Sequence, residues 1–302
     1  MRLQRWQANL LLLTVALIWG SAFVAQSIGM ASVAPLTFTG LRFLLGALVV
    51  APLAWWEWRC LAKCATQPGA GDMWGVFGLG ILLMLGSVFQ QIGIVTTTVT
   101  NTGFLTALYV PLVPLLVWVV DRTRPHWSVW PTAFGCVIGT LLMSGTGLTW
   151  PGVGDSWVIA SSFFWAWHVL YVGRLAGRLS APFVVAAGQF AVCGLLSLLV
   201  AAWSETVSLA GVRQAWLPIL YTGVVSVGIG FSAQVVGQRD AHPAEAAIIL
   251  SAETVFAGLF GFLLLDERLS GGGLAGGALI LCCIVTVQLK SLRLPSNRTT
   301  AT

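Results

Sequence analysis

Charged side chains are scarce in this chain, and their scarcity decides the class of protein. Only 8% of the 302 residues are Asp, Glu, Lys or Arg, whereas 57% are hydrophobic. A soluble domain carries about 25% charged residues, so the composition predicts an integral membrane protein. At about 20 residues per membrane helix, the chain has room for ten spans with short connections, but not for a separate soluble domain.

The sequence also lacks the motifs of several other functions. It contains neither a His-Glu-x-x-His motif nor paired aspartates at membrane depth, so we do not expect an enzyme. No nucleotide-binding motif is present, which excludes a pump driven by hydrolysis within this chain. The six cysteines have no zinc-ligand partners nearby and are interpreted as small buried hydrophobic residues. We therefore expect no metal site and no cofactor.

Pro, Gly and polar residues separate the apolar runs and predict an all-α membrane fold. The net charge of +5 comes from basic residues in short loops rather than in blocks, so no nucleic-acid partner is expected. The first run is too long for a signal peptide and has no cleavage site, so it is interpreted as a retained span. We predict ten transmembrane helices, at 9–28, 35–56, 73–95, 102–120, 127–148, 156–173, 182–203, 215–237, 244–265 and 272–289.

Basic residues predict the orientation of these spans. With the N-terminus in the cytoplasm, twelve basic residues face inward and only Arg213 and Arg268 face outward, while Arg42 lies within a span. Such a bias over short loops follows the positive-inside rule, so both termini are predicted to be cytoplasmic. The twelve residues are Arg2, Arg5, Arg59, Lys63, Arg122, Arg124, Arg174, Arg178, Arg239, Lys290, Arg293 and Arg298.

The second half of the chain repeats features of the first. The stretch from Pro35 to Phe43 is echoed about 147 residues later from Pro182 to Phe190, and Trp19 is echoed by Trp165. We divide the chain into five-helix units at 1–150 and 151–302. Because five is an odd number, the second unit enters the membrane from the opposite side. This inverted repeat predicts a transporter whose substrate site lies between the halves, near the midplane.

Four short stretches are informative together: the run from Ala16 to Phe23, Leu41-Arg42-Phe43, the run from Ala252 to Val255 and the run from Leu265 to Leu269. They extend over nearly the whole chain, and their order and spacing are more specific than any one motif. In this order they resemble the drug/metabolite transporter superfamily, and within it the ten-helix EamA family.

The resemblance implies two inverted five-helix repeats around a central cavity in the bacterial inner membrane. It also implies a secondary transporter that exports amino acids, related metabolites or toxic compounds. One departure concerns the ninth span, where family members usually have Pro after the glutamate and this chain has Thr254. A helix break there is therefore in question, although Pro111 is present at the equivalent place in the first half.

Two charged residues within spans are candidates for substrate binding. Arg42 lies about seven residues, or roughly 10 Å, from the expected outer surface. It either attracts a substrate carboxylate or is structural, reaching outward or binding carbonyls at a helix end. Glu253 lies near the middle of the ninth span. It either holds a substrate ammonium group or a transported proton, or it is a neutral acid that joins two helices.

Uncharged polar and aromatic residues complete the candidate cavity. In a membrane, polar groups need partners from another helix or from a solute. His168 is either a proton relay or a hydrogen-bonded packing residue. Trp19 and Trp165 are interpreted as aromatic walls from the two halves. The remaining candidates are Gln90, Asn101, Tyr109, Gln234 and Ser251.

Glycine-rich stretches such as Gly75-x-x-Gly78-x-Gly80 are interpreted as sites of close helix packing and sliding, because none has the strand and turn that phosphate binding requires.

These observations predict a secondary transporter that exports amino acids or related small metabolites by alternating access. We expect its cavity to be lined by the first, third, fourth, sixth, eighth and ninth spans. The partners are a small-molecule substrate and the lipid bilayer, and a monomer suffices. Export of drugs, toxic cations or nucleotide sugars is the alternative within the superfamily. A channel or a membrane-embedded enzyme is less consistent with the repeat and the missing motifs.

Overall fold

The computed structural model describes residues 3–63, 68–122, 124–127, 129–144, 152–268 and 270–293, except for the side chains of 143, 144 and 287–293. Within these ranges the protein is helical and contains no strand. The helices are α1 Arg5–Met30, α2 Pro35–Lys63, α3 Ala70–Ile94, α4 Val99–Thr106, α5 Tyr109–Asp121, α6 Val129–Ser144, α7 Val153–Leu179, α8 Pro182–Ser204, α9 Leu209–Gln214, α10 Trp216–Tyr221, α11 Ser232–Arg239, α12 Pro243–Leu250, α13 Ala252–Leu265 and α14 Gly271–Arg293. A π-helical segment, Thr222–Phe231, joins α10 to α11.

Seven helical segments are long and apolar enough to cross a membrane, so the protein is a multi-pass membrane protein. Two shorter apolar helices, Val129–Leu142 and Gly271–Thr286, accompany them. Over its described residues, each of the ten predicted spans coincides with a helix or with a series of consecutive helices. Residues 128 and 145–148 of the fifth predicted span lie outside the described residues. The exact number of ten membrane crossings nevertheless stays a prediction. The seven segments are Arg5–Met30, Pro35–Lys63, Ala70–Ile94, Val99–Asp121, Pro182–Ser204, Trp216–Arg239 and Pro243–Leu265.

Helices α2 and α8 lie antiparallel and cap each other's N-termini. The Glu205 carboxylate, just beyond α8, accepts hydrogen bonds from the backbone amides of Leu36 and Thr37, both at 2.8 Å. At the other end of the pair, Glu57 of α2 accepts a hydrogen bond from the amide of Val184 at 2.9 Å. A carboxylate at a helix N-terminus satisfies free N–H groups and complements the helix dipole. These reciprocal caps fix the register of α2 against α8.

Glycine allows the same two helices to approach closely. A Cβ atom on Gly40 would lie 2.6 Å from Leu198, and one on Gly194 would lie 2.7 Å from Leu44. Both distances are shorter than real carbon contacts, so a larger residue at either position would push α2 and α8 apart. Gly40 and Gly194 therefore serve close helix packing, although they lie outside the glycine-rich stretches interpreted in this way from the sequence.

The helices around the centre form two bundles of similar construction. The first bundle comprises α3, α4, α5 and α7. In it Asp72 of α3 pairs with Arg178, and Asp121 of α5 pairs with Arg174. The second bundle comprises α1 and α10 to α13, with the π-helical segment. There Arg5 pairs with Glu245 at 2.7 Å.

Two membrane helices are broken at positions 144 residues apart. The break between α4 and α5 falls at Ala107 and Leu108, and the break between α12 and α13 falls at Ser251. The amides of Val110 and Thr254 donate to the carbonyls three residues earlier, at 3.0 and 3.1 Å. The helix break is therefore present, although this position holds Thr254 where family members usually have proline. The Thr254 hydroxyl also donates to the Gly103 carbonyl at 3.1 Å, which connects the two broken helices.

A further irregularity is the π-helical segment, whose sequence is rich in glycine. Mid-helix π geometry widens the turn and shifts the register of the side chains that follow it. Ser226 and Phe231 both belong to this segment, and both point towards the space between the bundles. The segment thus supplies two cavity side chains that a regular helix would place differently.

Glu205 accepts three hydrogen bonds at the N-terminus of α2, including one from the Thr37 hydroxyl. Glu205→Gln is therefore expected to lower the free energy of unfolding by about 1 to 2 kcal/mol. The measurement is thermal or denaturant unfolding in a mild detergent. Asp266→Asn, which neutralises an exposed acid, is the matched control and is expected to leave stability unchanged. Equal stability of the two variants would contradict the capping role.

Candidate functional site

A cavity lies between the two bundles near the middle of the molecule. Its lining comes from α1, α3, the α4–α5 break, α7, the π-helical segment, α11 and α13, with one residue from α2. These are the six spans expected from the sequence, together with the second. Seven of the sequence-predicted residues line it: Trp19, Arg42, Gln90, Tyr109, Trp165, Gln234 and Glu253.

The cavity is narrow in this conformation. The cavity volume is only about 40 Å³. Each buried water needs roughly 10 to 15 Å³ of such space, so about three water molecules fit. A solute larger than that enters only when side chains or helices move. The structure is therefore a contracted state of the cavity.

Phe231 is the centre of an aromatic cluster on one wall of the cavity. Its ring centroid lies 4.5 Å from that of Trp19 and 5.9 Å from that of Trp165, which stacks on it at 22°. Phe43 and Phe190 approach the same ring at 5.7 and 6.1 Å. Trp19 and Trp165 thus meet from the two halves of the chain, but through Phe231 rather than directly.

Arg42 provides a positive charge at the cavity and is only 3% exposed. Its Nη1 donates to Oε1 of Gln26 at 2.6 Å, and its guanidinium carbon lies 5.0 Å from the Phe43 ring centroid. The four ion pairs of the described residues do not include it, and its Nε has no hydrogen-bond partner there. Arg42 does not reach the surface, and among the described residues it has no hydrogen bond to a helix-end carbonyl.

Glu253 and Tyr109 lie where the two broken helices resume. Each is 3% exposed, and the carboxyl of Glu253 lies beside the hydroxyl of Tyr109. Glu253 is the second residue of α13 and Tyr109 is the first of α5, which places both next to backbone groups freed by the breaks. A carboxyl group and a phenol can each donate or accept a hydrogen bond, and an ionised carboxylate attracts a cation. This pair can therefore bind a cationic or hydroxylated group.

Glutamines complete the polar part of the lining. Nε2 of Gln90 donates to the Thr106 hydroxyl at 2.8 Å. Oε1 of Gln234 is buried and has no hydrogen-bond partner among the described residues. Buried polar atoms are normally paired, so an unpaired acceptor on a cavity wall indicates a place for water or solute.

Two segments, residues 6–145 and 152–288, each match the EamA-like transporter family. The chain belongs to this family. A transporter of the archaeon Archaeoglobus fulgidus, itself uncharacterized, is 29% identical over 289 residues, which are 95% of this chain and 87% of the relative. A protein of known crystal structure is similar with a TM-score of 0.76 and 23% identity, over 97% of this chain and 100% of the other. That likeness shows the fold alone.

In this EamA-like transporter, three predicted site residues lie outside the cavity lining. Nδ2 of Asn101 donates to Asp155 at 2.6 Å near the start of α7. The His168 ring bonds Gln189 at 2.8 Å and contacts Trp165 behind the cavity wall. The hydroxyl of Ser251 donates to the Ile248 carbonyl at 2.6 Å. All three side chains have partners within the protein, and His168 also contacts the lining residue Trp165.

Sequence reasoning missed six lining residues. Gln26 carried a signal, because it lies seven residues after Trp19 and therefore on the same helix face. Thr106 is the last residue of α4, before the break. Ser226 and Phe231 had no signal, since their orientation depends on the π-helical segment. The six are Phe23, Gln26, Thr106, Val169, Ser226 and Phe231.

Cysteine labelling of the EamA-like transporter tests the cavity. In a background without the six native cysteines, Ser226→Cys is expected to react with a small charged methanethiosulfonate at least about tenfold faster than Ser197→Cys. Both serines are buried, but only Ser226 faces the cavity. The measurement is the rate of mass shift in intact protein. Similar rates at the two positions would show that the cavity does not open to water.

Proposed function

We propose that this membrane transporter exports amino acids or related small zwitterionic metabolites. The observation that carries the proposal is the presence of Arg42 and Glu253 in the lining of one cavity. An amino acid has a carboxylate that complements a guanidinium and an ammonium that complements a carboxylate. An intramembrane charge costs at least a few kcal/mol, and a bound zwitterion offsets this cost at both residues.

Alternating access is the proposed mechanism, with the two bundles rocking about the cavity. The contracted cavity supports it, because a carrier must pass through states closed around its site. We also propose that 1–150 and 151–302 are inverted repeats. Support comes from the double family match, from the antiparallel α2–α8 pair and from the breaks 144 residues apart. The left-handed residues that end α5 and α13, Arg122 and Asp266, are also 144 apart.

The aromatic wall favours one alternative, the export of toxic organic cations. Rings and a carboxylate attract cations, and such a substrate would need Glu253 but not Arg42. A nucleotide sugar is less consistent with the site. Its phosphates would need several cationic partners, and the described lining contributes only Arg42.

We propose a bacterial inner-membrane location with both termini in the cytoplasm. The fold supports the charge count, because Arg5, Arg174 and Arg178 all lie with their acidic partners at one end of the bundles. At the opposite end, Glu267 accepts hydrogen bonds from the amides of Val99 and Thr100 at 3.0 and 3.1 Å.

Counterflow in proteoliposomes with paired substrate analogues tests the two charges. Arg42→Gln is expected to reduce exchange of a zwitterionic amino acid about tenfold or more, while exchange of the decarboxylated amine is reduced much less. Glu253→Gln is expected to show the reverse preference, affecting the amine more than the deaminated acid.

Arg213→Gln removes an exposed arginine far from the cavity and is the control for both variants. If amine exchange requires Glu253 but is unchanged by Arg42→Gln in every assay, the cation exporter is supported instead.

A pH series with Glu253→Gln tests whether the acid carries a transported proton. Unchanged transport with unchanged pH dependence would exclude an essential proton carrier at this position.

Reporter fusions test the orientation. Green fluorescent protein fused to either terminus is expected to fluoresce and alkaline phosphatase at the same sites to be inactive, because both termini are predicted to be cytoplasmic. An alkaline phosphatase fusion within the loop that contains Arg213 is the positive control and is expected to be active. An active phosphatase at the C-terminus would show an odd number of spans.

A further inference from the structure

A second cavity lies on the outer surface of the first bundle, away from the site between the bundles. It is a groove of about 580 Å³ between α3 and α7. One wall is the face of α3 that carries Gly71, Gly75 and Gly78, and the other is formed by Tyr171, Arg174 and Arg178 of α7. None of the proposed transport residues lines it.

Two of the three glycines of this groove do not serve close helix packing, whereas Gly75 does, because a Cβ atom on it would lie 3.2 Å from Leu175. A Cβ atom on Gly71 or Gly78 would meet nothing within 4 Å, whereas one on Gly80 of the same helix would lie 2.5 Å from Val192. The packing interpretation is therefore confirmed for Gly80 and wrong for Gly78. Gly71 and Gly78 leave open space on the surface of α3.

The length of the groove matches one leaflet of a bilayer. Its lining extends along α3 from Gly71 to Leu82, which is about 16 Å at 1.5 Å per residue. Half the hydrocarbon thickness of a bilayer is about 15 Å. The inner part of the groove is apolar, with Leu79, Ile81 and Leu82. An acyl chain would find matching depth and chemistry here.

Two arginines, each paired with an aspartate, lie at the end of the groove nearest the start of α3. The Arg178 side chain is 64% exposed, and the guanidinium carbon of Arg174 lies 5.5 Å from the Tyr171 ring centroid, which itself stacks on Trp167. Each arginine contacts its aspartate, Asp121 or Asp72, through a single nitrogen. A guanidinium has five N–H donors, so each retains donors for a phosphate group.

We propose that this groove binds one anionic phospholipid, with its acyl chain along the glycine face of α3 and its phosphate between Arg174 and Arg178. Basic pockets beside membrane helices favour anionic headgroups. A lipid also fills the apolar trough that the open glycines create, which a free phosphate ion would leave empty.

Native mass spectrometry of delipidated protein, titrated separately with phosphatidylglycerol and phosphatidylcholine, tests the proposal. The wild-type chain is expected to bind one phosphatidylglycerol at least about fivefold more tightly than phosphatidylcholine. Arg174→Gln with Arg178→Gln should remove this preference. Gly78→Leu should weaken both lipids about fivefold by filling the trough, and it should do so without a clash because its Cβ meets open space.

The matched control is Arg213→Gln with Arg268→Gln, which removes the same charge from the opposite end of the molecule and should bind as the wild type does. Equal affinity of the wild type for the two lipids would overturn the proposal. Unchanged binding in Gly78→Leu would also overturn it, since the headgroup would then bind without a seated chain. Because Gly78→Leu leaves both ion pairs intact, it keeps the test decisive if the double arginine variant fails to fold.

Discussion

The constraint on which the structure depends is the absence of water within a bilayer, since every backbone and side-chain polar group there needs a partner from the protein. The two reciprocal caps of α2 and α8 meet this requirement at helix ends, and Glu267 does the same for α4. Thr254 meets it at a break by donating to Gly103 across two helices. Several buried polar atoms have no partner among the described residues, and those on Arg42, Tyr109 and Gln234 lie at the main cavity. A solute there can supply the missing partner.

The two halves share a scaffold and differ in chemistry. Tyr109 and Glu253 occupy equivalent places just after the helix breaks, yet only one of them is an acid. Arg42 corresponds in the repeat to Gln189, which bonds His168 behind the wall instead of facing the cavity. The charges of the site therefore come from one helix of each half, and the symmetric framework places them around a single asymmetric pocket.

The sequence predicted the helical class, the places of the helices and seven lining residues, because these follow from apolar run lengths and from the cost of polar groups in lipid. It did not predict the π-helical segment, since its glycines also suit ordinary close packing. The orientations of Ser226 and Phe231 were missed for that reason. Asn101 and His168 were predicted to line the cavity because a polar side chain within a membrane span needs a hydrogen-bond partner. Whether that partner is Asp155, Gln189 or a solute depends on tertiary packing.

The narrowness of the main cavity limits the water that it can hold. Space for about three waters makes a chain of roughly 10 Å, which is far shorter than the 30 Å of hydrocarbon that a continuous water column must cross. The cavity in this structure therefore does not by itself connect the two sides of the membrane through water.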